Sequence, residues 1–576
     1  MVMLPHAGAN DSAGPRIAAH SESEQATITI YGSPTFGGAS GGGRPITSVE
    51  QLGDFIGSPA QQAGRLNDEF LIIAETPSEV IIANDRFAAL PLFYFVEDTK
   101  LVTSFSYLAM WRRLSENNKL EPDPLSFFKF LYFQRLFSFT TFDQHTKTLE
   151  PASILRFKKA SMSMKVERYW SPNFAKRTDG MQSIAADLAD AVKVSVARKT
   201  FDKSNVSLLL SGGMDSRVVL GGFAATTTSP HCITIGNTRN NEVQVAESLA
   251  NIVGSKHSFV ERSPNHYENV FAEATSTGGG MYSFQHGHFF DLDIPETDLL
   301  LHGHGFDYFF QGMYLPASRG NFLGRPTRSW TLDTIGYDLI GQYLNEAKYR
   351  LKGLDPYSLL KPGIAADAED SMRTNLEMVL KPVSNRGSDS YDDWDYLTIG
   401  APGRHYTYLN LLSAGSLAEQ RTVAFDNDIL DIYYSAPAKL RHGTQLLAET
   451  IKQLDPRLLK VRNANTNLRP DLSPVKLTVS SWIRGTRRRV GAGGSLRPDP
   501  STSDRSWPTE SEIIRNSEAL ISRVSTLKKA EGLASLDIFD EHKIGRIAGD
   551  FNSGNNSLAP ALLSLITIDE FIRPLS

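Results

Sequence analysis

The sequence contains one cysteine, Cys232, and lacks any long, uninterrupted apolar run. A single cysteine excludes a disulfide within the chain and is compatible with the reducing cytoplasm. Without about 18 consecutive apolar residues, we expect no membrane-spanning helix. Residues 1–25 also lack the apolar core of a signal peptide, so we expect a disordered lead there. Together these absences predict a cytoplasmic protein that does not bind membranes.

The chain also has no large excess of either charge. It carries 59 Lys and Arg against 64 Asp and Glu, for a net charge of −5. This balance argues against nucleic acid or an anionic membrane as the main partner. With 576 residues, of which 41% are hydrophobic and 21% charged, the chain has the composition of a globular protein and the length of two or three domains.

One short segment combines features that favour phosphate binding. An apolar run over residues 206–210 predicts a strand, and apolar residues at helical spacing follow from Val218. A strand that turns through glycines into a helix directs free N–H groups at one point, where anions bind. Asp215 could add a divalent cation. The alternative is a tight turn with incidental serines. The residues predicted to contact phosphate are Ser211, Gly212, Gly213, Asp215 and Ser216.

Residues 211–216, Ser-Gly-Gly-Met-Asp-Ser, resemble the S-G-G-x-D-S pyrophosphate loop of the ATP pyrophosphatases. Within that group the chain looks most like the asparagine synthetase family. The resemblance implies ATP and Mg²⁺ as cofactors. It also implies an α+β N-terminal amidotransferase-like sandwich of antiparallel sheets, followed by an α/β parallel-sheet ATP-pyrophosphatase domain.

A second segment, residues 302–307, resembles the family's G-x-G-x-D stretch. The resemblance places Gly303 and Gly305 at the nucleotide and makes Asp307 a second Mg²⁺ ligand beside Asp215. His304 stands where asparagine synthetases usually have Glu and β-lactam-forming relatives have Tyr. An imidazole titrating near neutrality could act as a general base toward an attacking amine. A hydrogen bond to a neighbouring loop is the alternative, and both remain open.

A third segment, residues 419–426, resembles the family's E-x-R-x-P-F-L-D stretch. Glu419, Arg421 and Asp426 can form a buried ion-pair network, which we favour, and Glu419 is also a candidate catalytic residue. The lysine of the family's later R-x-K motif is replaced by Ala464. Arg462 is therefore a candidate for the missing catalytic cation, and full asparagine-forming activity is in doubt.

The N-terminal half resembles class II glutamine amidotransferases at residues 84–94, 149–151 and 168–170. The glutaminase of that family needs a cysteine directly after the initiator methionine, whereas this chain has Val2. We therefore expect no glutamine hydrolysis. The nitrogen would come from free ammonia, a substrate amine, or a separate glutaminase partner.

These features predict a disordered lead (1–25), an amidotransferase-like domain without nucleophile (26–170), a linker (171–185), a synthetase domain (186–470) and a C-terminal helical extension (471–576) packed on that synthetase domain. A flexible linker over 37–43 and a mobile loop over 485–510 are also expected.

The predicted function is an ATP-dependent amide-forming ligase that activates a small-molecule or peptide carboxylate as an acyl-adenylate, which ammonia or an amine then attacks. The alternatives are ring closure as in lasso-peptide cyclases, with a possible peptide-delivery partner, or in β-lactam synthetases; sugar-acid amidation in polysaccharide synthesis; and an inactive nucleotide-binding scaffold.

Overall fold

The structure is a computed structural model that describes residues 1–5, 14–37, 43–322, 324–347, 351, 353–384, 386–489 and 506–573. Most of the predicted linker at 37–43 and of the predicted mobile loop at 485–510 lies outside these residues. A helix that ends at Arg489 covers the start of that loop, so the prediction is wrong for residues 485–489. Within the described ranges, no helix has the length and apolar character needed to cross a membrane.

The N-terminal part is built from two sheets. One is six-stranded, antiparallel and ordered β12-β11-β7-β6-β3-β2, and the other is four-stranded and ordered β1-β9-β8-β10. The elements, in chain order, are β1 (Val2–Met3), β2 (Ile17–Glu22), β3 (Thr27–Gly32), β4 (Thr35–Phe36), α1 (Pro59–Gly64), β5 (Leu66–Asn67), β6 (Phe70–Glu75), β7 (Glu79–Asn84), β8 (Phe93–Glu97), β9 (Lys100–Ser104), α2 (Tyr107–Glu116), α3 (Pro124–Phe133), β10 (Lys147–Thr148), β11 (Ser153–Lys158) and β12 (Ser163–Arg168).

The two sheets share an apolar core. Ile73, Ile82 and Leu155 of the larger sheet lie in one cluster with Tyr94 and Leu101 of the smaller sheet. On the other face of the larger sheet, apolar side chains form a second cluster with residues around α1. Because β6 and β7 are covered on both faces, their sequences are continuously apolar rather than alternating.

The first residues of the chain belong to these sheets. Strand β1 pairs in parallel with β9, and β2 pairs with β3. The ammonium group of Met1 lies 2.6 Å from a carboxylate oxygen of Glu75. The prediction of a disordered lead over 1–25 is therefore wrong for these strands, because backbone pairing with distant strands orders them despite their few apolar side chains.

A five-stranded parallel sheet, ordered β15-β14-β13-β16-β19, forms the centre of the second part. The antiparallel sheets before it and this parallel sheet confirm a mixed α+β architecture. The elements are α4 (Gly180–Thr200), β13 (Val206–Leu209), α5 (Asp215–Gly222), β14 (His231–Gly236), α6 (Asn241–Val253), β15 (His257–Glu261), α7 (His266–Asn269), α8 (Phe271–Thr277), β16 (Leu299–His302), α9 (Phe306–Phe310), β17 (Ala317–Phe322), β18 (Arg325–Leu332), α10 (Leu339–Ala347), α11 (Ile364–Leu380), α12 (Ser390–Ile399), α13 (Leu409–Gly415), β19 (Glu419–Thr422), α14 (Asn427–Ser435), α15 (Ala438–Arg441) and α16 (Gln445–Leu454).

The C-terminal extension is helical, with α17 (Pro474–Arg489), α18 (Glu510–Arg515), α19 (Glu518–Thr526), α20 (Glu531–Ser535), α21 (Glu541–Asn552) and α22 (Ala559–Ile572). Helix α22 is buried along most of its length and contacts α3 as well as α8. The ring centroid of Phe571 lies 5.1 Å from that of Trp111 and 5.8 Å from that of Tyr107, and both of these residues are on α2. The extension thus packs against both halves of the chain, not against the synthetase half alone.

Candidate functional site

The loop that joins β13 to α5 is closed by its own serines. The backbone N–H of Ser211 donates to the hydroxyl of Ser216 over 3.0 Å, and the two hydroxyls lie 3.0 Å apart. The N–H of Gly213 donates to the Ser211 hydroxyl over 3.2 Å. These contacts hold the strand end and the helix start together, so the loop has a fixed shape before any ligand arrives.

A second loop, between β16 and α9, lies directly against the first. A Cβ atom on Gly303 would lie 2.3 Å from the backbone nitrogen of Ser216, so only glycine permits this approach. Gly305 has a φ of 101°, which favours glycine for conformational reasons. The two glycines therefore bring the carboxyl ends of adjacent parallel strands into contact, which is where ligands bind in such sheets.

Asp215 and Asp307, one from each loop, line a cavity of about 210 Å³ together with Ser211, Ser216 and His304. Burial, and the nearby charge of Asp307, raise the pKa of Asp215 well above its usual range. Burial raises the pKa of Asp307 to about 6. The side-chain amide of Gln311 donates to Asp215 over 2.7 Å. Two buried carboxylates repel each other when both are ionised, and a divalent cation bound between them would relieve this repulsion.

No group of three or more His, Cys, Asp and Glu side chains suited to a metal occurs in the part of the chain that the structure describes. A cation held by Asp215 and Asp307 would therefore take its remaining ligands from substrate oxygens or water. This is how Mg²⁺ is usually bound at phosphates.

His304 lines the same cavity, but it does not titrate near neutrality. Burial lowers the pKa of His304 well below its usual range, and the neighbouring His302 and His286 lower it further. The sequence-based expectation of a pKa near 7 is therefore wrong, and the ring is neutral at physiological pH. Its Nε2 atom is buried and has no hydrogen-bond partner among the described residues. A neutral ring with one unused nitrogen can still exchange a hydrogen bond with a ligand.

Glu419 lies outside this site. It begins β19 opposite Leu299, the first residue of β16, and so sits at the amino edge of the sheet, whereas the two loops leave its carboxyl edge. Its carboxylate lies 2.5 Å from Arg421 and 3.0 Å from Arg16. The suggestion of a catalytic role is not supported by this position, and the ion-pair interpretation is the better one.

The predicted network divides into two. Arg421 bonds to Asp202 over 2.8 Å as well as to Glu419. Asp426 instead forms an ion pair with Arg198 and caps α14 by accepting the N–H of Asp428 over 2.9 Å. Including Asp426 in the Glu419 network was therefore wrong.

Arg462 and Ala464 lie beside the first loop. Arg462 is exposed, and its guanidinium donates to Asn241 over 2.7 Å. Ala464 is buried, and its N–H donates to the Gly212 carbonyl over 3.0 Å. The segment that would carry the family's lysine therefore reaches the loop, but it presents a methyl group there. Arg462 stays a predicted catalytic residue without a contact to the cavity.

Residues 187–388 match the protein-family model described as asparagine synthase. The match contains both loops, with Asp215 and Asp307, and ends before Glu419 and Arg462. The sequence motifs at 211–216 and 302–307 thus lie inside the matched segment.

No curated protein matches the chain. Solved structures that match include one titled as the allosteric regulatory enzyme of purine biosynthesis, at 12% identity, covering 42% of this chain and 62% of that chain, with a TM-score of 0.19. Another is the glutamine phosphoribosylpyrophosphate amidotransferase from B. subtilis complexed with ADP and GMP, at 11% identity, covering 42% of this chain and 48% of that chain, with a TM-score of 0.17. The matched part of this chain spans less than two thirds of each of these proteins. At these TM-scores the likeness supports no inference about fold or function.

Several residues around the two loops are not among those predicted from the sequence. Arg217 is fully buried and donates to five backbone carbonyls, those of Gly212, Gly213, Leu458, Val461 and Arg462. Gln420 bonds to the Nε2 atom of His302 over 2.8 Å. The sequence spacing could have indicated Gln311, because it lies four residues after Asp307 and therefore on the same helical face. Arg217 and Gln420 had none, because their partners are distant in sequence.

Proposed function

We propose that this protein is an ATP-dependent, amide-forming ligase of the asparagine synthase type. The observation that carries the proposal is the pair Asp215 and Asp307, which face one cavity from two touching loops inside the segment 187–388. Each carboxylate has a raised pKa in the absence of a cation. Such a pair is costly unless a positive charge is bound there during function.

The residues of the first loop suit the pyrophosphate portion of ATP. The start of α5 and the Ser211 and Ser216 hydroxyls provide hydrogen-bond donors, and the positive end of the helix dipole favours an anion. Asp215 and Asp307 would hold Mg²⁺, which when bound neutralises negative charge on phosphate oxygens.

The proposed reaction has two steps. A substrate carboxylate oxygen attacks the α-phosphorus of ATP, and the bond to the β-phosphate breaks, releasing pyrophosphate. A nitrogen nucleophile then attacks the acyl carbon, AMP leaves with the carboxylate oxygen, and one proton leaves the nitrogen. In this proposal His304, which lines the same cavity, accepts that proton or orients the nucleophile, and the lowered pKa of its ring favours the orienting role.

The nitrogen donor in the proposed reaction would be ammonia, a substrate amine or a separate glutaminase. Ring closure within one peptide or small molecule, and amidation of a sugar acid, are compatible with the same chemistry.

A second candidate function is a nucleotide-binding scaffold without turnover. The observation that favours it is the buried methyl of Ala464, which occupies the place of the family's lysine beside Gly212. Loss of such a cation removes charge stabilisation that is often worth about 3 kcal/mol or more in a transition state.

Pyrophosphate and AMP release would test both candidates. The protein, ATP and Mg²⁺ are combined with aspartate and ammonium, with sugar acids plus ammonium, or with peptides. We expect pyrophosphate release that depends on a carboxylate and falls by a factor of at least about 100 in Asp307→Asn. The control is Asp98→Asn, which changes an exposed aspartate. ATP binding without release supports the scaffold, and wild-type protein that binds no ATP contradicts both.

A further inference from the structure

A second cavity, of about 250 Å³, lies where the end of α3, residues 313–317 and α12 meet. Its walls are mainly aromatic rings, and it contains a single guanidinium group, that of Arg135. The rings are those of Phe133, Phe137, Tyr314, Tyr343, Trp394 and Tyr406. A cavity of this composition offers an apolar, flat-walled space with one positive charge inside it.

Arg135 is poorly paired for a buried cation. Its side chain belongs to a residue that is only 5% exposed, and Nη1 donates to the carbonyl of Thr398. The Nε atom has no hydrogen-bond partner within the described part of the chain. The guanidinium carbon lies 4.4 Å from the centroid of Phe137. None of the ion pairs among the described residues includes Arg135.

Two other buried arginines, Arg217 and Arg404, are more fully paired, whereas Arg198 and Arg262 also have buried donor atoms without a partner among the described residues. Arg217 donates to five carbonyls, as described above. Arg404 donates to the carbonyls of Ser138 and Thr140 over 3.0 and 2.9 Å, and also to the hydroxyl of Thr148. A buried charge with unpaired donors is energetically unfavourable. The guanidinium of Arg135 can therefore form further hydrogen bonds to a ligand.

The charges around Arg135 do not neutralise it. Burial, together with the charge of nearby Arg404 and against an opposing effect of Tyr343, lowers the pKa of Arg135 to about 10, so the group stays protonated at neutral pH. Glu346 also lines the cavity, but it is exposed, accepts a bond from Gln342 over 3.0 Å, and forms no ion pair with Arg135. The interior of the cavity is therefore positive.

We propose that this cavity binds an aromatic carboxylate, with the carboxylate on the Arg135 guanidinium and the ring among Trp394, Tyr314 and Tyr406. A guanidinium matches a carboxylate with two hydrogen bonds, and aromatic walls favour a flat apolar body. The proposal does not depend on ATP chemistry at Asp215 and Asp307.

The cavity is joined to the first site by a row of rings. The centroid of His405 lies 4.3 Å from that of Tyr406 and 4.8 Å from that of Tyr308, and Tyr308 lies 5.4 Å from His304. An acid bound at Arg135 would thus contact one end of an aromatic layer whose other end reaches the first cavity.

Binding of phenylacetate to the whole chain without nucleotide tests the proposal. Phenylacetamide is the matched neutral ligand, and titration calorimetry gives both affinities. We expect phenylacetate to bind at least about tenfold more tightly than phenylacetamide, because only the acid can pair with the guanidinium. Equal affinities, or no binding of the acid, would overturn the proposal.

Variants locate the binding. Arg135→Met should weaken phenylacetate binding by about tenfold or more, and Arg135→Lys should recover part of it. Arg156→Gln, which changes a partly exposed arginine paired with Glu79, is the control and should leave the affinity unchanged. If Arg135→Met does not fold, Trp394→Phe in otherwise wild-type protein should remove the tryptophan fluorescence change caused by phenylacetate. An unaltered fluorescence change in that variant would place the acid elsewhere.

Discussion

The backbone N–H of Ala464 donates to the carbonyl of Gly212 over 3.0 Å. The methyl group of Ala464 packs against Gly212 in the loop between β13 and α5. A Cβ atom added at Gly212 would lie 2.3 Å from the Cβ atom of Ala464. The position that corresponds to the family's lysine thus acts here as a packing partner of the proposed phosphate loop.

This contact makes Gly212→Ala a strong test of the loop. The new methyl group must displace either the loop or Ala464, so we expect ATP affinity to fall by about tenfold, as for an overpacked core position. Isothermal titration with ATP and Mg²⁺ measures it. Gly549→Ala is the control, because Gly549 lies on α21 and its added Cβ would have no atom within 4 Å.

The double variant Gly212→Ala, Ala464→Gly should recover most of the lost affinity, since the second change removes the colliding methyl group. If the double variant binds ATP as weakly as Gly212→Ala, then the Ala464 contact does not shape the loop.

The raised pKa values of the two carboxylates predict a pH-dependent cation affinity. Asp307, whose pKa is raised to about 6, is mostly protonated below that pH, and burial and the charge of Asp307 also raise the pKa of Asp215. A cation must displace these protons, so the affinity for Mn²⁺ should rise by about tenfold per pH unit for each proton displaced as the pH increases through 6. Electron paramagnetic resonance of free Mn²⁺ measures it.

Asp307→Asn removes one of the titrating groups and should both weaken binding and flatten this pH profile. A flat profile in the wild-type protein would contradict the assignment of Asp215 and Asp307 as a cation site.

The position of Glu419 predicts a change in stability without a change in nucleotide binding. Glu419→Gln leaves Arg421 and Lys203 without part of their counter-charge, and breaking this partly buried network should lower the free energy of unfolding by roughly 2 kcal/mol. Urea denaturation measures the loss. Because Glu419 lies at the opposite edge of the sheet, ATP affinity should match that of wild type. A large loss of ATP affinity in a folded variant would support the catalytic assignment instead.

Arg217 should be among the most sensitive positions of the chain. Arg217→Met leaves five backbone carbonyls without this donor, which should cost roughly 3 kcal/mol of folding free energy. Hydrogen exchange should increase at residues 458–462, which these bonds hold against the loop. Arg462→Ala is the matched control: among the described residues, the side chain of this exposed arginine bonds to Asn241 alone, and the variant should be close to wild type in stability.

The sequence predicted the geometry of the candidate site where that geometry is local. The run 211–216 contains its own serines, glycines and carboxylate, so the strand–turn–helix geometry follows from neighbouring residues. Gly305 is also explained locally, by its positive φ, whereas Gly303 is required by a close approach to Ser216, which is distant in sequence.

Where the sequence failed, the deciding contacts are between distant residues. Glu419 is a catalytic candidate in the sequence because the motif does not show which edge of the sheet it occupies, and only the register with Leu299 does. Strand β1 is two residues long and depends on β9, about a hundred residues later. The charge state of His304 depends on burial that no local pattern shows.

Helix α22 covers a group of aromatic side chains in the N-terminal half of the chain. The ring of Phe571 packs among those of Tyr107, Trp111 and Phe142. These three residues lie more than 400 positions earlier in the sequence and are therefore synthesised first. These rings therefore gain this cover only once α22 has been synthesised, and we expect a nascent polypeptide stalled before α22 to expose an apolar surface that chaperones bind.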